Sequence, residues 1–326
     1  MDRQLPVDFG SLFERHRREL HVHCYRMLGT LDDADDLVQE TFLKAWRKRK
    51  SNLGPETIRP WLYRIATNAC LDALKRRPSR IMPWHLGPPV VDGTQPVGSS
   101  PELPWLQPYP DRWLPADERL VARQTIEIAF LAAIHMLPPR QRAVLILRDV
   151  LDWSATDAAD VLRTSVAAAN SALQRARTTM KAHHATTADG TATARSAEER
   201  AVLVQFIEAW ERSDAAAIAA LLREDARWSM PPAPLWHGSR EAIVAAIRAA
   251  LDPVSRAHVG QMRQVALDGA NRQPACAIYL RSGGDERYRA FGINVLRIVD
   301  GKIAEVTAFL DPRLFPAFGM PSSMYA

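Results

Sequence analysis

Residues 30–50 read T-L-D-D-A-D-D-L-V-Q-E-T-F-L-K-A-W-R-K-R-K, and residues 59–77 read R-P-W-L-Y-R-I-A-T-N-A-C-L-D-A-L-K-R-R. In the first run Ala34, Leu37, Val38, Phe42, Ala45 and Trp46 recur at helical spacing, which predicts one apolar face in need of a core. Thr30 with Asp33 resembles a capping box, and acids at the start with bases from Lys44 to Lys50 at the end suit the helix macrodipole. The two ends carry opposite charge and so suit different partners. The second run sets Trp61, Tyr63, Arg64 and Asn68 near a basic end, Lys75 to Arg77. Aromatic planes for stacking, an amide for base edges and cations for phosphates are what single-strand recognition uses. On residue types alone a second reading stays open, in which Trp61, Leu62, Ile65, Ala69 and Leu74 are core and the cations a solvated helix end.

The order of residues separates the two readings. Taken together, the runs resemble region two of bacterial RNA polymerase sigma factors of the extracytoplasmic-function group. The resemblance implies that Asp32, Asp33, Asp35, Asp36, Gln39, Glu40, Phe42 and Trp46 meet the clamp of core RNA polymerase. It also implies that Asn68, with the loop residue Asn52, reads an extruded non-template base, while Arg64, Lys75, Arg76 and Arg77 serve the melted strand and its phosphates.

The 326 residues are enough for two or three domains, with 47% hydrophobic and 24% charged residues, as in ordinary globular chains. A net charge of +5 points mildly toward a polyanionic partner. Cys24, Cys70 and Cys276 are far apart, with no C-x-x-C pair, so free buried thiols are expected, and neither a metal site nor a cofactor. The apolar runs are too short to cross a membrane and the N-terminus is broken by charges, so a cytoplasmic protein is expected.

Along the chain, residues 1–77 form the region-two domain and 78–117 a proline-rich linker whose Trp84, Trp105, Tyr109 and Trp113 need something to dock on. That partner is either the linker's own domains or, by the resemblance, a path through polymerase. Residues 118–182 turn helical again, and Ser154 to Leu162, a turn at Arg163-Thr164, and Ser165 to Lys181 have helix-turn-helix spacing. They resemble region four of the same family, although Arg163 stands where many members carry Gly. Ser165, Asn170, Ser171, Gln174, Arg175, Arg177 and Lys181 are the residues expected on DNA, Asn170 and Gln174 as candidate readers of adenine. Residues 183–197 are small and polar, a flexible tether.

Residues 198–326 change to α+β character, and D-A-R-W-S-M-P-P, W-H-G-S-R-E-A-I and the closing F-G-I-N-V-L-R-I-V-D-G-K-I-A-E-V-T-A-F-L-D resemble the SnoaL-like polyketide cyclase cone. Its mouth is expected to involve Trp228, Met230, Trp236, His237, Arg289, Asn294 and Asp311, with His237 and Asp311 the candidates for the positioned base a cyclase or isomerase would need, against a structural role for a lone His beside a Gly turn. The fold class expected is therefore multidomain: two all-α sigma domains, a region-two bundle and a region-four helix-turn-helix, followed by an α+β cone. The function expected is a non-enzymatic sigma factor that binds core RNA polymerase and promoter DNA, with the cone modulating it in cis and a small-molecule ligand possible there. The alternatives are a small-molecule-binding or cyclase-type enzyme fused to a helix-turn-helix, and a polymerase-independent repressor.

Overall fold

The computed structural model describes residues 9–48, 55–76, 78–91, 100, 102–115, 123–184, 197–255 and 257–325. Its contacts divide the chain into two compact units, Met1–Arg80 with Trp113–Ala188, and Ile81–Arg112 with Asp189–Ala326.

The first unit is helical. Helix α1 (Phe9–Leu28) stops at Gly29, where φ is 81°, and α2 (Leu31–Lys48) and α3 (Pro55–Leu74) complete the N-terminal bundle. After the Pro138-Pro139 break that ends α4 (Ile128–His135), α5 (Pro139–Leu145) runs into a π turn, Ile146–Val150. Helices α6 (Ala155–Leu162) and α7 (Val166–His184) form the helix-turn-helix. On α2 the buried stripe is Ala34, Leu37, Val38 and Ala45, as the periodicity predicts, but Trp46 is 51% exposed and falls outside it.

The N-terminal bundle and the helix-turn-helix are fastened by a buried cation. Arg142 of α5 is fully buried, and its guanidinium donates to Ile134 O at 3.0 Å, His135 O at 3.0 Å, Leu137 O at 3.4 Å and Met27 O at the end of α1. Helix C-termini leave carbonyls without intrahelical donors, and their partial negative charge favours a cation. Burial lowers the Arg142 pKa to about 10, which leaves it charged at neutral pH. Arg26 works likewise on the neighbouring turn, donating to Thr125 O at 3.2 Å and Thr125 Oγ1 at 2.9 Å. Between α1 and α3, buried His23 meets Thr67 Oγ1 at 2.9 Å through Nε2.

The second unit is a cone around a mixed sheet, with strands β1 (Leu222–Ser229), β2 (Trp236–His237), β3 (Gln261–Ala266), β4 (Ala275–Arg281), β5 (Arg287–Val299), β6 (Lys302–Phe309) and β7 (Ser323–Tyr325). The order is β2-β1-β6-β5-β4-β3, with β7 on β5; β1 and β6 are parallel and the other pairs antiparallel. Asp300 and Gly301, with φ of 49° and 70°, make the tight β5–β6 turn that two positive-φ residues favour. Helices α8 (Ala197–Glu211), α9 (Ala215–Leu221) and α10 (Arg240–Leu251) supply Phe206, Trp210, Ile218 and Ile247 to a core shared with Trp228, Leu296 and Val306.

Most of the proline-rich linker belongs to this unit and is laced along it. Val90 N donates to Trp236 O at 2.8 Å, Trp236 Nε1 to Gly87 O at 2.9 Å, and Ser100 N to Pro232 O at 2.9 Å. Farther on, Tyr109 N donates to Asn271 Oδ1 at 2.7 Å and Asn271 N returns a bond to Tyr109 O at 2.8 Å. Tyr109 and Trp105 are buried, whereas Trp113 lies in the helical unit, edge-on to His21.

Removing the Arg142 side chain takes a donor from four carbonyls, of which Ile134 O keeps the Leu137 N–H, so Arg142→Met is expected to destabilise the helical unit by about 3–5 kcal/mol in denaturant unfolding. A loss under 1 kcal/mol would contradict its role as fastener. Burial also pushes the His23 pKa down from 6.5 to about 3, and that of His135 well below its usual value. Below pH 6.5 the unfolded chain therefore binds the extra protons, and stability falls by up to about 1.4 kcal/mol per pH unit for each such histidine. His23→Gln keeps a donor for Thr67 and is expected to remove about one proton from that slope between pH 6.5 and 4, measured by unfolding across the range.

Candidate nucleic-acid and polymerase interfaces

The solvent side of α2 carries Asp32, Asp36, Gln39, Leu43 and Trp46 at positions i, i+4, i+7, i+11 and i+14, all exposed. Large apolar side chains exposed at the end of an acidic stripe are a feature that interaction surfaces share. Leu43 was missed by the sequence reading, although a leucine off the core stripe of an amphipathic helix is the signal that finds it. The remaining α2 candidates are engaged within the helical unit. Asp33 pairs with Arg80, Glu40 with Lys44, and Phe42 packs on Phe13 beneath the Arg17 guanidinium, 4.3 Å from its ring centroid. Asp35 lies 3.3 Å from His21, whose hydrogen bond lowers the carboxyl pKa.

In the same unit, α3 borders a cleft of about 830 Å³ lined by Lys44, Lys48, Arg64, Lys75, Arg140 and Arg163 around Trp61 and Asn68. Its one lining carboxylate, Asp72, is paired with Lys75 at 2.7 Å. Cations, one indole and an amide in a single groove match a nucleic-acid strand. The Asn68 amide, however, already donates to Arg64 O at 2.6 Å and to Val161 O of α6 at 3.2 Å. Arg76 is exposed at the end of α3, while Asn52 and Arg77 lie outside the described residues.

In the helix-turn-helix, Ser154 caps α6, accepting from Asp157 N at 3.0 Å. Arg163 takes the left-handed conformation, φ 52°, that closes the helix, which explains why a glycine suits this position. Ser165 caps α7, accepting from Ala168 N at 3.1 Å. Ala169, Leu173, Ala176 and Met180 are buried, so Asn170, Ser171, Gln174, Arg175 and Lys181 are turned to solvent, Asn170 and Gln174 one turn apart. Arg177 is held by a bidentate pair to Asp149, at 2.9 and 2.7 Å, within the unit.

The cone closes over a second, mainly apolar cavity of about 110 Å³. Of the residues expected at its mouth, Trp228, Met230, His237 and Asn294 line it. Trp236, Arg289 and Asp311 do not: Trp236 bonds Gly87 O, Arg289 lies exposed 3.2 Å from Asp285, and Asp311 caps the turn after β6 while pairing with Arg313. Of the two candidate bases, His237 therefore lines the cavity and Asp311 does not. Trp210, Gln264 and Phe291 line the cavity and were not foreseen, because alternation along a strand does not say which face curves inward. Cys24, Cys70 and Cys276 are buried free thiols, and among the described residues no acid, histidine and cysteine cluster suits a metal.

The chain matches the family described as Sigma-70 region 2 over residues 12–80, Sigma-70, region 4 over 127–180, and SnoaL-like domain over 203–306. It is 42% identical to the ECF RNA polymerase sigma factor SigG of Mycobacterium tuberculosis over 320 residues, 97% of this chain and 85% of that one. The ECF RNA polymerase sigma factor SigJ of the same species is 27% identical over 325 residues, covering 94% of this chain and 92% of the relative. The crystal structure of the M. tuberculosis SigJ protein superposes with a TM-score of 0.64 at 21% identity, covering 96% of this chain and 99% of that chain, which establishes the shared fold.

The exposed face of α7 generates a division of labour. Asn170→Ala and Gln174→Ala are each expected to reduce discrimination between preferred and altered duplex sequences by about 1–3 kcal/mol, while Arg175→Ala and Lys181→Ala weaken binding to all sequences alike and flatten its salt dependence. Uniform losses from all four changes, in salt-dependent binding titrations, would contradict it.

Proposed function

Since the chain belongs to the extracytoplasmic-function RNA polymerase sigma factors, we propose that it docks core RNA polymerase on the exposed stripe of α2 and that its cone acts on this work in cis through the linker. As in its family, its task is recognition in transcription initiation rather than catalysis. Asn68 and the cations of the α3 cleft take the melted promoter strand, and α7 takes the duplex element through Asn170 and Gln174. The work is done in the cytoplasm, where core polymerase and promoter DNA are.

The observation that carries the control by the cone is the lacing of residues 87–109 along it. By the family resemblance this linker follows a path through polymerase, and it cannot do so while Val90, Ser100 and Tyr109 are bonded to the cone. Being part of the same chain, the cone competes for the linker at high effective concentration. The Asn68 bond to Val161 adds a second requirement, since an amide donating to a carbonyl of α6 is not free to read a base. Engagement of promoter therefore separates α3 from α6 and the linker from the cone.

Transcription with purified core enzyme tests this reading. A chain ending at residue 197, and a full-length Asn271→Ala chain that loses the side-chain half of the Tyr109 clasp, are both expected to change promoter output by several-fold. Output unchanged in both would remove the cone from the mechanism and leave sigma function intact.

A further inference from the structure

Nothing in transcription initiation requires the interior of the cone to be hollow, yet it is. Its cavity of about 110 Å³ is many times the space one water needs, and an apolar cavity of about 150 Å³ takes benzene. The walls include Trp210, Trp228, Ile247, Ile278 and Phe291, and among the described residues no Asp, Glu, Lys or Arg lines them. A charged guest would therefore lose its hydration without gaining a counter-ion.

Among the described residues Asn294, Gln264 and His237 interrupt these walls, beside the buried, unpartnered indole N–H of Trp210. Asn294, on β5, is 1% exposed, and its Oδ1 has no hydrogen-bond partner among the described residues. A buried amide oxygen left so costs stability unless something donates to it. Gln264, on β3, has only sulphur partners, accepting from the Cys276 thiol at 3.1 Å and donating to Met262 Sδ at 3.1 Å. His237 donates through Nδ1 to Val90 O at 2.9 Å, which fixes its tautomer and makes Nε2 an acceptor, and burial lowers its pKa and keeps the ring neutral.

From this arrangement we propose that the cone is a binding site for a small uncharged molecule, about one ring in size, whose hydroxyl donates to Asn294 Oδ1. The apolar body fills the space lined by Trp228, Ile247, Ile278 and Phe291, and the hydroxyl supplies the missing donor. This site goes beyond the sigma function and holds whether or not the cone acts on transcription.

Phenol, toluene and benzoate probe the three claims with guests of similar shape. Added to the full chain and followed by the indole N–H resonances of its tryptophans, phenol is expected to bind saturably and at least about tenfold more tightly than toluene, with no saturable binding of benzoate. Asn294→Leu, similar in volume but without the oxygen, is expected to bring phenol down to the level of toluene. Ala250→Phe, which fills the cavity from α10, is expected to abolish both. Equal affinity for phenol and toluene, saturable binding of benzoate, a tenfold preference that survives Asn294→Leu, or phenol binding that survives Ala250→Phe would each overturn the assignment. Should Asn294→Leu fail to fold, the three-guest comparison in the native chain and Ala250→Phe decide alone.

Discussion

A single guanidinium in a cage of carbonyls underlies the helical unit. Arg142 has no carboxylate beside it in that cage; it is balanced by the ends of two helices, α1 through Met27 and α4 through Ile134, His135 and Leu137. A carboxylate partner would satisfy the charge in one place. Carbonyls from separate elements satisfy it only when those elements are together, so the cation enforces their relative placement. The N-terminal bundle and the helix-turn-helix share a unit for this reason, and the basic cleft with its Asn68–Val161 bond follows from it.

The same economy of partners recurs in the cone. Linker residues find donors and acceptors on β2 and on the loop before β4, while the Asn294 Oδ1 inside the cone finds no donor among the described residues. One surface is thus satisfied by the chain's own linker, and one interior is left for a guest. His237 touches both, with its ring in the cavity wall and its Nδ1 on Val90.

Element types and order were legible in the sequence because strong periodicity and punctuation carry them. Gly29, Pro138-Pro139 and Asp300-Gly301 mark breaks by backbone geometry, which needs no tertiary information. What was not legible depended on partners distant in sequence. Arg142, in the run R-Q-R-A-V-L-I-L-R-D, has the composition of a surface cation and is buried because the distant Met27 carbonyl and three carbonyls just before it in sequence receive it together. Asp311 looked like a base and is a cap, since its partner Arg313 is only two residues away but serves a turn that the strand pattern does not announce. Trp46, one turn beyond Phe42, lies outside the core stripe and is 51% exposed, which the spacing of apolar residues alone does not reveal.

The linker's membership in the second unit has a consequence for biosynthesis. Residues 81–112 leave the ribosome between the two halves of the helical unit, long before β2 and the β4 loop to which they bond have been made. Domains fold in order of emergence. The helical unit is complete in sequence by residue 188, so it closes around an unattached loop, and the loop is stitched down only when the last third of the chain appears. A ribosome paused in that interval holds a sigma factor with a free linker, a state that the finished protein must reopen to regain.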